Sequence, residues 1–184
     1  MSVAEGESPL RVAVVGTADA DEGEYALARA LGRALAQRGV LIVCGGRGGV
    51  MEAASRGAHE AGGTVVGILP GEDASEANRW VAVPLATGMG EARNALVVRA
   101  AEAIVAVGGR WGTLSEIALG RAMGRAVLTL GRPPADGLGL PSAPDAESAA
   151  EWAVAEARVY RASRERVDGF GPEHGGHGEV RTPG

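Results

Sequence analysis

The sequence predicts an α/β protein built on a doubly wound, mostly parallel sheet in a Rossmann-like, three-layer architecture. Two observations lead to this fold class: short apolar runs alternate with amphipathic helical segments, and glycine turns follow the apolar runs. Strands of a parallel sheet are covered by helices on both faces, which explains why these runs are largely apolar. Ligands of such folds bind beyond the carboxyl ends of the strands. We therefore expect the glycine turns to form the functional site.

Three strands and two helices are expected in the first part of the chain. Residues 22–38 carry leucine and alanine at helical spacing with arginines on the opposite face, and Gly39 provides the stop. A second helix extends from residue 50 to about residue 61, before Gly62. The strands are short, valine-rich runs before, between and after these helices: residues 11–16, 40–44 and 64–69.

The second part of the chain continues the alternation. Pro84 cannot donate to a β-ladder and therefore places its strand at an edge of the sheet. One helix is expected from about residue 91 to residue 101, another over residues 113–123, and a closing helix from residue 145 to about residue 158 with Trp152 as its apolar anchor. The three strands of this part are residues 80–85, 104–107 and 126–130.

Length and composition predict one domain. A chain of 184 residues with 46% hydrophobic content can bury one core, which we assign to residues 1–160. Residues 132–144 are rich in proline and glycine and are expected to form an irregular crossing loop. The charged, glycine-rich segment 161–184 is expected to be a disordered tail. His174 and His177 in that tail are not expected to bind a metal, because the glycines between them oppose a helix.

Arginine supplies the positive side-chain charge of the chain, since all 18 residues of the Lys+Arg total are arginine. A pyridoxal phosphate enzyme needs a lysine for its Schiff base, and a Walker-type loop needs one for the terminal phosphates, so both classes are excluded. The net charge of −5 argues against a general nucleic-acid surface, although a local arginine patch would not be visible in the total. The expected partner is a small molecule.

Nothing in the sequence points to a membrane or to disulfide chemistry. No run approaches the roughly 18 apolar residues of a membrane span, and residues 1–10 lack the basic start and apolar core of a secretion signal. The expected location is therefore cytoplasmic, with no membrane partner. Cys44 is the only cysteine and is expected to be a buried thiol rather than a nucleophile.

The candidate site centres on residues 104–117, IVAVGGRWGTLSEI. A buried strand ends at Gly108 and Gly109, where the backbone must turn into a helix that Thr113 opens. Exposed N–H groups, the Thr113 hydroxyl and the positive end of the helix dipole suit phosphate without a cationic side chain. The spacing of Thr113 and Glu116 also fits a helix capping box, which would make Glu116 a structural residue. Both interpretations of Glu116 stay open at this point.

Three motifs together resemble the LOG family, which was formerly labelled lysine decarboxylase: GGRGGVME at residues 45–52, TGMGEARN at 87–94 and GGRWGTLSE at 108–116. The likeness covers about residues 11–131 and looks closest to the branch of molybdenum cofactor carrier proteins, which is related to the Rossmann part of the DNA-processing protein DprA. A phosphorylated ligand is implied. The residues expected to bind it are Gly16, Thr17, Gly45, Gly46, Gly49, Met89, Arg93, Asn94, Gly108, Gly109, Gly112, Thr113 and Glu116.

The resemblance also implies a reaction. In LOG enzymes an arginine and the glutamate of the last motif cleave the N-glycosidic bond of a nucleoside 5′-monophosphate, and Arg93 and Glu116 are the matching positions. Their surroundings depart from the enzyme pattern, because Gly108 replaces a proline, Arg110 a glycine and Ser115 an acid. The helix motif departs as well, with asparagine where the enzymes have lysine. These departures favour binding over hydrolysis.

Two functions from different classes therefore remain open. The first is a carrier or sensor of a phosphorylated, ring-containing molecule such as molybdenum cofactor or a nucleotide; the alternative is a phosphoribohydrolase with Arg93 and Glu116 as its catalytic pair. Neither requires a resident cofactor, and pyridoxal phosphate is excluded by the missing lysine. DprA-like binding of DNA is the weakest interpretation, since the chain is acidic and only 3% aromatic. Relatives with this architecture imply a homodimer or a higher even homo-oligomer.

Overall fold

The computed structural model describes residues 8–168, in which seven strands form one sheet and five α-helices surround it. The strands are β1 Arg11–Gly16, β2 Leu41–Cys44, β3 Val65–Leu69, β4 Val83–Ala86, β5 Ala103–Val107, β6 Ala126–Leu130 and β7 Ser142–Ala143. The α-helices are α1 Glu22–Gln37, α2 Val50–Glu60, α3 Asn94–Arg99, α4 Trp111–Ala122 and α5 Ala146–Asp168. Short 3₁₀ helices cover Ala74–Glu76 and Gly90–Arg93.

The sheet is parallel throughout, with the strand order β4-β3-β2-β1-β5-β6-β7. The chain builds outward from β1 to β4 on one side and then returns to β5 and builds outward on the other. β1 and β5 are therefore central neighbours, with Gly16 paired to Val107 at their carboxyl ends. This reversal point is where ligands of doubly wound sheets bind. The predicted fold class is confirmed.

Helices cover both faces of the sheet, as the apolar character of the strands predicts. Val12 and Val14 of β1 lie in a core that includes α1, α2 and α5, whereas Ala13 and Val15 lie in a second core with α3 and α4. All four side chains are at most 1% exposed. Because successive residues of a strand point to opposite faces, both sets must be apolar for the sheet to be covered twice. The three-layer architecture follows from this packing.

The closing helix α5 continues to Asp168, so the expectation of a disordered tail is wrong for residues 161–168. A polar contact accompanies this extension: the Arg161 guanidinium donates to the backbone oxygens of Ser8 at 2.6 Å and of Pro9 at 2.9 Å. The prediction considered only apolar periodicity and could not include this distant partner. Residues 169–184, with both tail histidines, lie outside the described residues.

Two other segments differ from expectation. Residues 142–143, in the predicted irregular loop, form β7, whose Ser142 and Ala143 pair with Thr129 and Leu130 of β6. The single helix expected from about residue 91 is instead the 3₁₀ turn followed by α3. The prediction that Pro84 places its strand at an edge is confirmed, since β4 pairs with β3 alone. Among the helices of the described residues, none has the length and apolar content needed to cross a membrane.

Candidate functional site

A cavity of about 280 Å³ lies beyond the carboxyl ends of β1 and β5. Four regions contribute to it: the loop after β1, the turn from β2 into α2, the 3₁₀ turn before α3, and the turn from β5 into α4. Cationic and anionic side chains both reach this space. The lining consists of Gly16, Thr17, Ala18, Arg47, Met51, Glu91, Arg93, Asn94, Arg110, Gly112, Thr113 and Glu116. We refer to it as the switch-point cavity.

Arg93 is the central cation of the switch-point cavity. It ends the 3₁₀ turn, is only 4% exposed, and places its Nη1 atom 3.7 Å from Oε1 of Glu116. Among the described residues its Nε and Nη1 atoms are buried without a hydrogen-bond partner. The guanidinium packs against Gly45, where an added Cβ would lie 2.5 Å from Nη1. A buried donor without a partner is costly, so an anion that accepts these N–H groups would recover that cost.

Glu116 faces Arg93 from α4 and is 6% exposed. Burial raises the pKa of Glu116 to about 7; Arg93 acts in the opposite direction, and Glu91 adds a further increase. The carboxyl group therefore changes protonation near neutral pH. The capping-box interpretation is wrong: α4 begins at Trp111, its N-cap is Arg110, and that residue makes no side-chain capping bond. Thr113 thus lies inside the first turn and does not open the helix.

The raised pKa of Glu116 predicts a pH-dependent stability. Between pH 4.5 and about 7 the folded chain retains a proton that the unfolded chain has released, so the free energy of unfolding should fall as pH rises through this window. This fall in the free energy of unfolding is on the order of 3 kcal/mol, since each pKa unit corresponds to about 1.36 kcal/mol. The Glu116→Gln variant has no carboxyl group at this position and should not show the fall. Urea unfolding of the parent and the Glu116→Gln variant at pH 5 and pH 8 measures the difference.

The exposed residue Glu151 on α5 offers a matched control for this experiment. Its replacement by glutamine makes the same chemical change at a solvated position, and the pH dependence should stay that of the parent. An equal pH dependence in the parent and the Glu116→Gln variant would show that Glu116 titrates in its ordinary range.

Glycines shape the turn from β5 into α4. Gly108 and Gly109 have φ angles of +57° and +118°, which side-chain-bearing residues rarely adopt. A Cβ on Gly109 would overlap the side chain of Thr113, which is 3% exposed. The backbone therefore comes close to the Thr113 hydroxyl. This turn needs glycine both for its conformation and for the space that it leaves at the cavity.

Asn94, which follows Arg93 and begins α3, connects α3 to α4. Its side-chain nitrogen donates to Oγ of Ser115 at 2.9 Å, and that hydroxyl donates to the backbone oxygen of Gly112 at 2.7 Å. Asn94 is 4% exposed, so its amide lies in a well-packed position. The chain of hydrogen bonds fixes α3 against the start of α4. Asn94 and Ser115 both depart from the LOG enzyme pattern, and their side chains are hydrogen-bonded to each other.

The structure brings about half of the predicted site residues together. Met89 is 48% exposed and does not line the cavity, while five predicted glycines form turns around it without lining it: Gly45, Gly46, Gly49, Gly108 and Gly109. The predicted residues that do line it are Gly16, Thr17, Arg93, Asn94, Gly112, Thr113 and Glu116. Sequence reasoning did not include Ala18, Arg47, Met51, Glu91 and Arg110.

A signal for two of the missing residues was present in the sequence. Arg47 and Arg110 each interrupt a glycine cluster at a strand end, where a cation can reach a ligand bound to the turn.

Cys44, at the end of β2, is buried, and this burial raises the pKa of its thiol. The prediction of a buried thiol at this position is confirmed.

Comparison with known proteins places this site in context. The model of the SLOG cluster4 family matches residues 9–162. A protein of Archaeoglobus fulgidus is 40% identical over 125 residues, which are 68% of this chain and 82% of that protein. The fold of DNA processing protein A from Helicobacter pylori is similar, with a TM-score of 0.63 at 18% identity over 80% of this chain and 81% of that one.

Two solved proteins of similar structure are named for molybdenum cofactor. The molybdenum cofactor binding protein from the phototrophic bacterium Rippkaea orientalis has a TM-score of 0.75 and 30% identity, over 80% of this chain and 97% of that one. The molybdenum cofactor carrier protein from Chlamydomonas reinhardtii has a TM-score of 0.74 and 34% identity, over 83% of this chain and 99% of that one. These matches confirm the resemblance that the three motifs predict.

Proposed function

The chain belongs to the SLOG cluster4 family, and we propose that this member binds a phosphorylated, ring-containing small molecule in the switch-point cavity as a carrier or sensor. The ligand is of molybdenum cofactor or nucleotide type. The observation that carries the proposal is Arg93, whose Nε and Nη1 atoms are buried without partners among the described residues. A phosphate group supplies the acceptor oxygens that such a guanidinium needs.

The charges around Arg93 agree with an anionic ligand. Three arginines and two glutamates line the cavity, so the lining has an excess of positive charge even when both carboxyl groups are ionised. Protonation of Glu116, whose pKa is about 7, increases that excess. Arg47 and Arg110 supply the two further guanidiniums, Arg47 from the turn between β2 and α2 and Arg110 from the turn between β5 and α4. Phosphate oxygens can thus be met from more than one direction.

The size of the cavity suggests which part of the ligand lies inside it and which part lies outside. Its volume of about 280 Å³ is near the lower end of the roughly 300–1,000 Å³ typical of ligand sites, which suits the phosphate-bearing part of the molecule. Trp111, 85% exposed, stands between the lining residues Arg110 and Gly112 and offers aromatic surface for a ring outside the cavity. The molybdenum cofactor relatives support the choice of a phosphorylated ring compound as cargo.

Phosphoribohydrolase activity is the second candidate, and Glu116 favours it. A pKa of about 7 suits a general acid or base at neutral pH, and Arg93 lies 3.7 Å away to hold an anionic substrate. The carrier remains the first proposal, because Asn94 and Ser115 stand where the LOG enzymes have a lysine and an acidic residue. A homo-oligomer stays a prediction, supported by the exposed apolar side chains of Leu96 and Trp111.

Incubation with AMP separates the two candidates. The parent and the Glu116→Gln variant are titrated with AMP by calorimetry, and free adenine is measured by chromatography. We expect both proteins to bind AMP with dissociation constants within about tenfold of each other and neither to release adenine. Hydrolysis would be established if the parent and the Glu151→Gln variant released adenine from AMP and the Glu116→Gln variant did not. Absence of both AMP and inorganic phosphate binding by the parent would contradict the proposed ligand class.

A further inference from the structure

A second polar cavity, of about 370 Å³, lies at the opposite edge of the sheet. It is formed where β1, β5 and β6 begin, and α5 passes over it. The strands between the two edges are five or six residues long, which places this cavity roughly 15–20 Å from the switch-point cavity. Its lining includes the side chains of Arg11, Arg99, Glu102, Arg125, Arg161 and Arg164. We refer to it as the arginine cavity.

The only carboxylate that lines the arginine cavity among the described side chains is already held by two guanidiniums. Glu102 is 2% exposed and accepts from Nη2 of Arg11 at 2.8 Å and from Nη2 of Arg161 at 2.9 Å. Burial opposes ionisation of Glu102, but the hydrogen bonds from Arg11 and Arg161 outweigh it, and its pKa is lowered. Glu102 therefore stays ionised and orders two of the five arginines.

Arg125 is fixed without losing its charge. Its three nitrogen atoms donate to the backbone oxygens of Ala101 at 2.6 Å, Met123 at 3.1 Å and Arg99 at 3.2 Å. The guanidinium carbon also lies 4.0 Å from the centre of the Tyr160 ring. Carbonyl groups and a ring are neutral, so these contacts set the position of the guanidinium while its positive charge remains.

The charge of this lining is opposite to that of the protein. Five guanidiniums against one carboxylate leave a formal charge of +4, whereas the whole chain carries −5, so the rest of the chain carries −9. Arg99 and Arg164 are exposed and extend toward the cavity from α3 and α5. Like charges held in one recess repel one another, and a multivalent anion would relieve that repulsion.

We propose that the arginine cavity binds a small anion with at least two phosphate groups, at a site separate from the switch-point cavity. Guanidinium forks match phosphate oxygens in pairs, and several converge here. A nucleic acid is disfavoured, because its backbone would continue past the recess onto a surface that is strongly negative overall. Such an anion would connect α5 through Arg164 to the end of α3 through Arg99.

Inorganic pyrophosphate is the probe for this site, titrated by calorimetry into the full chain. The parent should bind two equivalents, one in each cavity. An Arg99→Gln, Arg164→Gln double variant should lose the second equivalent or bind it at least about tenfold more weakly, since two charge-assisted contacts are removed. Arg121→Gln is the matched control, because Arg121 is exposed on α4 and lines neither cavity. The melting temperature without pyrophosphate should not be lower in either variant than in the parent, and in the double variant it should rise slightly if the arginines repel one another.

The outcomes separate this proposal from the proposed function. Arg93→Ala should remove only the equivalent bound in the switch-point cavity, so the two sites can fail independently. A parent that binds one equivalent, lost in Arg93→Ala and kept in the double variant, would overturn the arginine cavity as a site. The proposal would also be overturned if Arg121→Gln weakened pyrophosphate binding as much as the double variant does, because the loss would then be a general effect of charge. If single-stranded DNA displaced pyrophosphate from this site at a lower concentration than pyrophosphate itself needs to bind, the ligand would be a nucleic acid and the proposed small anion would be wrong.

Discussion

Replacing Arg93 with alanine is expected to weaken the binding of AMP and inorganic phosphate by about ten- to a hundredfold. The change removes charge-assisted hydrogen bonds worth roughly 1.5–3 kcal/mol from a guanidinium that is 4% exposed. Arg93→Lys should recover only part of the affinity, because a compact ammonium cannot reproduce two parallel N–H donors. Calorimetric titration of the parent and both variants measures the loss.

Arg121→Ala serves as the control for the charge change, since Arg121 is exposed on the same domain and lies outside the cavity. A second readout is the pKa of Glu116, which Arg93 lowers and which should therefore rise above about 7 in Arg93→Ala. Carboxyl-carbon NMR of Glu116 can follow that titration. A folded Arg93→Ala variant with parental AMP affinity would remove Arg93 from the ligand site, and with it the main support of the proposed function.

The sheet and its glycine turns could be predicted because their signals are local. The runs that became β1, β2 and β5 are short and apolar on both faces, and glycine stands at the points where the backbone turns sharply. Strand order cannot be read from such runs, but the carboxyl ends of parallel strands share one edge whatever the order. The glycine-rich turns were therefore placed at the correct edge, although the glycines themselves mostly shape the cavity rather than line it.

The chemistry of the charged pair could not be read from spacing. Glu116 lies three residues after Thr113, which fits a capping box, and only the start of α4 at Trp111 excludes that interpretation. The burial of Arg93 depends on Gly45 of a distant turn, and the raised pKa of Glu116 depends on its burial in the folded chain. Long-range contacts also decide the length of α5, where Arg161 reaches Ser8. Local periodicity contains none of this information.

Replacing Gly109 with valine is expected to abolish ligand binding in the switch-point cavity, with a loss of at least about a hundredfold, or roughly 2.7 kcal/mol. Its φ of +118° is a conformation that valine rarely adopts, and the new Cβ would overlap the Thr113 side chain. Forcing a residue into such a region costs on the order of 1–3 kcal/mol. The turn should therefore move and carry its N–H groups away from the bound phosphate. Titration with AMP, together with the melting temperature, measures both effects.

Gly124 provides the matched control, because it also has a positive φ, of +71°, but an added Cβ there meets nothing within 4 Å. Gly124→Val should lose stability through the same kind of backbone strain and keep the parental affinity for AMP, since Gly124 follows the far end of α4. The comparison separates strain from damage to the site. If Gly109→Val folds and binds AMP as the parent does, the turn between β5 and α4 does not hold the phosphate, and the ligand must be placed elsewhere on the sheet edge.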